Sequence, residues 1–248
     1  MQGRPTEIIV VDNNSARPVF IPDHHNDKGV PISVLACTKS GAGAARNAGA
    51  AVARGDWLLF TDSDCVPTHS FLRGYMSTSG RAIAYAGHVR GVPDTSLARF
   101  YDAEGTLLPR LKVNAAGDSM PLYIVTANAL VWRRAFEACN GFNEEFDDAG
   151  GEDVDLSIRL WQIGSIELAM DSVVMHDFSD GFLGLWRRFK RYGRGNSVLE
   201  GVAGLTMKPR WNPPRNPSPY SVWLKMIQHG ALCYGYYGTR ILSRDRPR

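Results

Sequence analysis

Residues 57–67, Trp-Leu-Leu-Phe-Thr-Asp-Ser-Asp-Cys-Val-Pro, hold an apolar, β-prone run that stops at two carboxylates one residue apart. Closed by Pro67, the run reads as a buried strand that delivers Asp62 and Asp64 to a loop at its carboxyl end. Alternate side chains of an extended segment point to the same side, so the spacing predicts that both acids reach one ion. Two oxygen ligands leave most of a divalent coordination sphere free, and Mg²⁺ or Mn²⁺ held in this way completes it with phosphate oxygens and water. The pattern points to a metal–diphosphate site, with a pair of acids in a solvated turn as the plainer alternative.

The flanking sequence alternates strands with helices. Residues 7–11 (Glu-Ile-Ile-Val-Val) form a short strand that stops at the turn-forming group Asp12-Asn13-Asn14-Ser15, and residues 32–36 form the next. The alanine-rich residues 43–54 predict a helix ended by Gly55-Asp56. This order predicts an α/β fold with a doubly wound sheet, in which ligands sit beyond the carboxyl ends of strands, where Asp12, Asp62 and Asp64 lie. Further on, the periodicity predicts a helix over 69–77, a strand over 83–89 and a long, partly helical excursion over 91–121. An apolar, β-prone stretch over 122–131 and a helix over 133–139 follow. A helix opening at Gly150-Gly151-Glu152-Asp153 and a last strand over 172–175 ending at His176 come next. Five prolines between Pro209 and Pro219 predict an extended linker to a terminal helix, so residues 1–198 read as one domain and 199–248 as linker and basic tail.

Apolar content of 44% and charged content of 21% suit a globular chain, and a net charge of +3 argues against a nucleic-acid partner. The positive charge is clustered, however. Arg187, Arg188, Lys190, Arg191 and Arg194 lie close together, and the chain ends with Arg240, Arg244, Arg246 and Arg248. Such clusters suit a diphosphate, an acidic membrane surface, or a solvated helix face. The four cysteines show neither zinc-ligand nor disulfide spacing. With no secretory leader pattern and no uncharged apolar run of the ~18 residues that a membrane span needs, the expected location is the cytoplasm, with a peripheral contact at the inner face of the membrane left open.

A second acidic cluster carries the remaining chemistry. Glu152 and Asp153 sit at a helix start, where the macrodipole favours carboxylates, and helix capping is one reading of them. The glycines before them would let the backbone pass close to a ligand, and an acid near a bound sugar can take a proton from an attacking hydroxyl. Asp155, two residues on, should point elsewhere.

Five motifs in order resemble the family-2 glycosyltransferases of the GT-A fold. They are Val11-Asp12-Asn13-Asn14-Ser15, Gly41-x-x-x-Ala45-Arg46-Asn47-x-Gly49, Phe60-Thr61-Asp62-Ser63-Asp64, Gly141-Phe142-Asn143-x-x-Phe146 and Gly151-Glu152-Asp153-Val154-Asp155-Leu156-x-x-Arg159-Leu160. The resemblance implies a mixed sheet with a Rossmann-like nucleotide half and inverting transfer of a sugar from a nucleotide diphosphate sugar, expected to be a UDP-sugar, to an acceptor hydroxyl. It implies Asp12 at the nucleobase, and Arg46, Asp62 and Ser63 at the nucleotide. Asp64 would be the direct ligand of Mn²⁺ or Mg²⁺, with Asp62 near the ribose or a metal-bound water and His176 as a further metal or phosphate contact. Asp153 would be the catalytic base, and Glu152 its neighbour orienting the acceptor. Arg191 and Arg194, on a segment expected to be mobile, would supplement the diphosphate site, and Asn128 and Trp132 are candidates on the acceptor side, with burial in the sheet as the other reading of Trp132. Synthesis of the cell envelope or of a polysaccharide is the expected setting.

The resemblance also has a departure. Family members place a strand and a helix before the strand matching residues 7–11, whereas six residues precede it here. A gap beside that strand is expected, or self-association through it. Two other readings stay open. One is a shortened, non-catalytic relative that binds nucleotide sugar or a partner; the other is a sugar-phosphate nucleotidyltransferase, although the glycine-rich basic phosphate loop of that class is not visible near the first strand.

Overall fold

The computed structural model describes residues 5–26, 28–78, 80–92, 95–113, 117–147 and 150–244; Arg246 and Arg248 of the basic tail lie outside them. The chain opens with strands β1 (Ile8–Asp12) and β2 (Ile32–Ala36), which pair in parallel, followed by helix α1 (Ala42–Val52) and strand β3 (Trp57–Thr61). Next come β4 (Cys65–Pro67), α2 (Phe71–Met76), β5 (Ala84–Val92) and α3 (Ser96–Glu104). A small hairpin, β6 (Leu111–Val113) with β7 (Ser119–Pro121), leads to β8 (Asn128–Trp132), α4 (Arg133–Ala138), α5 (Glu152–Leu160) and β9 (Ile166–Asp177). Two long helices, α6 (Gly181–Ala203) and α7 (Pro219–Arg244), complete the fold.

The main sheet has five strands in the order β3-β8-β5-β9-β4, with β5 and β9 parallel and the other pairs antiparallel. The mixed α/β architecture agrees with the sequence expectation, and most elements fall within a few residues of their expected limits. The last strand is longer than expected, twelve residues instead of four, because it bulges where Gly87 pairs with Ala169 but His88 pairs with Val173. The excursion over 91–121 resolves into α3 and the β6–β7 hairpin. Thr95 starts α3 by accepting the Ala98 amide at 3.1 Å, and Gly105 ends it in the left-handed region at φ 62°.

β1 and β2 form a sheet of their own. Helix α1 lies over both β1 and β3: Gly49 packs on Val11, while Ala50 and Ala53 pack on the cluster that contains Leu58 of β3. The Glu7 carboxylate accepts the Arg54 amide at 2.6 Å, just ahead of β3. Strands β1 and β3 thus share one covering helix without sharing a ladder. Among the described residues no strand lies between them.

The apolar core sits on both faces of the main sheet. Leu58, Val131, Phe136, Phe142, Leu156 and Leu160 pack on one face with α4 and α5, and Phe71, Tyr75, Tyr85, Leu130 and Val174 pack on the other. A third cluster, including Tyr101, Phe178, Leu185, Phe189 and Leu224, joins α3 to the two long helices. Contacts from Phe182 to Trp223 early in both helices, and from Glu200 to Tyr236 late in both, show that α6 and α7 run in the same direction. The chain must therefore return along the whole of α6, 23 residues and about 34 Å at the helical rise. Residues 204–218 do so without helix or strand, in the extended form that proline favours. Helix α6 runs without a break across positions 198 and 199.

Candidate active site

The site is built where β3 ends, between α1, the start of α5 and the β4–β9 pair. Arg46, on α1, donates to Asp62 at 2.7 Å and to Glu152 at 2.9 Å. Its guanidinium also lies 5.6 Å from the centre of the Phe142 ring. Burial disfavours the Arg46 charge, yet Asp62 and Glu152 together outweigh it and raise its pKa above the ordinary arginine value. Asn47, the next residue, clamps the turn that holds Phe142: it accepts the Phe142 amide at 2.8 Å and donates to the Phe142 carbonyl at 2.9 Å. The sequence quoted Asn47 within a motif but gave it no task. Asn13 is a second fastener of this kind, accepting from Gly41 at 3.1 Å and donating to the Cys37 carbonyl at 2.9 Å.

Asp62 and Asp64 do not share one side of an extended segment. The Cys65 amide bonds back to the Asp62 carbonyl at 3.1 Å, which closes a turn. That turn sends Asp62 to Arg46 and Asp64 to His176, and Ser63 is exposed between them. His176 lies opposite Cys65 in the β4–β9 ladder, and its Nε2 is 3.3 Å from an Asp64 oxygen. Its Nδ1 is 2.9 Å from the Asp177 carbonyl oxygen, and its ring stacks on Phe178 at 4.5 Å. A carbonyl oxygen can only accept, so Nδ1 carries a proton and Nε2 faces the Asp64 carboxylate. Two lone pairs at that distance repel unless a cation, proton or metal, lies between them. The ligand atoms of Asp64, Cys65 and His176 all fall within 4.8 Å of one another, a span that one ion can bridge. Burial, reinforced by Asp62 and Asp64, pushes the Cys65 thiol up to about 12, so it stays protonated.

Asp153 is half-buried, and its carboxyl is pushed up to about 7, first by burial and then by the neighbouring Glu152 charge. Tyr123 and Tyr192 both feel Asp153: each phenol is raised first by burial and further by that carboxylate. Neither tyrosine was singled out from the sequence, because nothing in its local pattern separates it from a core aromatic. Asp155 points away, as expected, and pairs with Arg159, whose guanidinium holds the Gly141 carbonyl at 2.7 Å.

Several expectations are corrected. Glu152 is buried, with one oxygen taken by Arg46 and the other accepting the Gly150 amide at 2.7 Å, so it faces Arg46 and not an acceptor. Gly150 and Gly151 adopt φ of 145° and 100° in order to approach α6: a Cβ on Gly150 would lie 3.2 Å from the Arg191 carbonyl oxygen, and one on Gly151 3.3 Å from that of Gly195. The close approach is to protein and not to a ligand. Asn128 is fully buried, accepting from Tyr75 at 2.6 Å and donating to the His88 and Ser172 carbonyls at 3.0 and 2.9 Å. It ties β5 to β9 at their bulge with its amide group already engaged, which leaves nothing for an acceptor. Trp132 pairs with Trp57 while Asn128 pairs with Thr61, so Trp132 sits at the far end of β3, about 13 Å from the acids. Arg191 and Arg194 belong to the regular helix α6 and not to a loose segment. Arg191 Nε is buried without a hydrogen-bond partner among the described residues. Asp12 closes its own loop, accepting the Ser15 and Val19 amides at 3.0 and 2.9 Å, and these bonds, Val19 first, hold its pKa below the ordinary value.

Residues 2–138 match the sequence profile of Glycosyl transferase family 2. The chain belongs to this family. The matched stretch carries Asp12, Arg46, Asp62 and Asp64 and stops short of Glu152 and Asp153. Within the curated relatives, a pre-mycofactocin glycosyltransferase of Mycobacterium tuberculosis is 31% identical over 184 residues, 70% of this chain and 38% of the relative. A probable N-acetylgalactosaminyltransferase 9 of Caenorhabditis elegans is 28% identical over 203 residues, 71% and 34% of the two chains. The family-2 chain described here thus spans little more than a third of these relatives. Among solved structures, a Pyrobaculum calidifontis mannosyltransferase in complex with GDP-Man and Mn²⁺ superposes with a TM-score of 0.53 at 12% identity, covering 98% of this chain and 67% of that one. S. aureus TarS with UDP gives 0.52 at 14% identity, covering 97% and 84%. These likenesses show that the family-2 chain has the GT-A fold.

Proposed function

We propose that this chain is a metal-dependent glycosyltransferase that moves a sugar from a nucleotide diphosphate sugar to an acceptor hydroxyl with inversion. The observation that carries this reading is the opposition of His176 Nε2 and Asp64 at 3.3 Å, next to the Asp62–Arg46–Glu152 network that adjoins Asp153. Family membership and the fold support it, as do the GDP-Man and Mn²⁺ of one structural neighbour and the UDP of another.

One carboxylate oxygen and one imidazole nitrogen are a donor set that fits a small divalent ion, and the imidazole favours Mn²⁺ over Mg²⁺. Asp64 and His176 would hold such an ion, which would neutralise the charge that grows on the departing diphosphate. The chain's own groups do the rest. Arg46 fixes Asp62 at the end of β3, so that Asp62 can meet the ribose without swinging into the cation site. Asp153, once ionised, accepts the proton of the acceptor hydroxyl as its oxygen attacks the anomeric carbon. Glu152 serves through Arg46 as a positioning residue and keeps the Asp153 carboxyl basic by charge repulsion. The unpaired Arg191 Nε is a ready donor for a phosphate oxygen.

Calorimetric titration of UDP and GDP with and without Mn²⁺ tests the binding half of the proposal. Affinity that depends on the metal supports it, and affinity indifferent to Mn²⁺ for both nucleotides argues against it.

A further inference from the structure

We propose that the outward face of the α6–α7 pair docks on an anionic lipid bilayer. The inference is independent of the transfer reaction. The two helices meet through glycine: a Cβ on Gly235 would lie 2.0 Å from the Lys190 carbonyl oxygen, and one on Gly193 would lie 2.2 Å from that of Leu232. Backbone-to-backbone packing of this kind makes the outward side chains unnecessary for holding the pair together. A helix packed on one side only should carry polar groups on the other.

Helix α7 carries the reverse. Trp223, Met226, Tyr234 and Ile241 follow one another at intervals that return to the same face of a helix, and Met226, Tyr234 and Ile241 are 59%, 59% and 63% exposed. Phe182 of α6 meets Trp223 edge-on at 5.0 Å, and Trp186 of α6 lies 6.0 Å from Tyr234, so the stripe widens into one exposed surface shared by both helices. Contiguous apolar surface of this size on a folded chain marks an interaction site.

The charges beside it select the occupant. No Asp or Glu occurs between Glu200 and Asp245, a stretch that includes all of α7. Lys190 lies over the Tyr234 ring at 5.1 Å, and Arg187 is exposed on the turn that carries Trp186. Tryptophan and tyrosine with basic residues at their edge, on a helix α7 that carries no carboxylate of its own, are the composition of a helix lying in the headgroup region of an acidic bilayer. A protein partner would have to bring acidic groups to meet these cations, whereas an anionic bilayer presents negative charge over its whole surface. No helix among the described residues is long and apolar enough to cross a membrane, so the contact is peripheral. The same helix α6 borders the acid site through Arg191 and Gly195, so docking would bring that site close to the membrane surface.

Flotation of the full chain with phosphatidylcholine vesicles, with and without phosphatidylglycerol, tests the proposal against a variant carrying Met226→Glu and Ile241→Glu. Both side chains are exposed, so the variant should keep its melting temperature. Binding to the anionic vesicles is expected, weakened by salt and by about tenfold or more in the variant, the cost of two apolar side chains no longer buried in lipid. Absence of flotation with either vesicle, or equal flotation of the variant, would overturn it. So would a wild-type dimer that the variant converts to monomer with no vesicle binding, which would assign the face to a second copy of this chain.

Discussion

Arg46 and Glu152 meet at 2.9 Å with little solvent on either side chain, and this pair joins α1 to the helix that carries Asp153. A buried ion pair adds little net stability when intact, but removal of one partner strands the other. Arg46→Met is therefore expected to destabilise the chain by about 3–5 kcal/mol, read from chemical denaturation, because Glu152 loses its counter-charge. Arg46→Lys should recover only part of the loss, since an ammonium lacks the planar fork that reaches Asp62 and Glu152 together.

Asp64 is half exposed and makes few contacts, so Asp64→Asn should leave the denaturation midpoint within about 0.5 kcal/mol of wild type. The same variant should lose the Mn²⁺-dependent part of nucleotide affinity. Calorimetry with and without metal separates the two effects, and retention of metal-dependent affinity would remove Asp64 from the cation site.

Asp153 sets a pH dependence whose sign follows from its raised pKa. The base works only when ionised, so the transfer rate should climb through about pH 7 and fall tenfold per unit below it. The linkage to stability runs in the opposite sense: a folded carboxyl with a raised pKa holds its proton more tightly than the unfolded chain does, so its contribution favours folding at low pH and is lost as pH rises towards 7. Asp153→Asn should abolish the rise and lower transfer by at least ~10²-fold. A flat profile in the wild type would remove Asp153 as the base.

Asn128→Ala separates structure from acceptor binding. It leaves the His88 and Ser172 carbonyls without their donor, each at a cost of about 1–3 kcal/mol. A large fall in stability is expected, and any protein that still folds should keep its KM for acceptor.

The parts of this account that the sequence carried are those written in local pattern. The run of apolar residues before Asp62, the alanine-rich stretch of α1 and the acids opening α5 each name their element, because strand, helix and helix start differ in period and in cap chemistry. Thr95 and Gly105, the two ends of α3, were legible signals that weak periodicity between them obscured. What stayed hidden depends on contacts between distant segments. The turn that parts Asp62 from Asp64 is closed by one backbone bond, and the bulge that claims Asn128 arises from the register of two strands far apart in the chain. The burial of Glu152 is fixed by Arg46, more than a hundred residues earlier. The separation of β1 and β2 from the main sheet likewise depends on which strands pair, and no local pattern in either strand encodes it.

The central claim is that Asp64, His176 and Asp153 perform cation-dependent glycosyl transfer, and nucleoside diphosphate release from a panel of nucleotide sugars tests it most directly. The account predicts release with at least one donor in Mn²⁺, its loss in EDTA and in Asp64→Asn, and a strongly reduced rate in Asp153→Asn with donor affinity kept. Release that persists in EDTA, or that survives both substitutions, would contradict it.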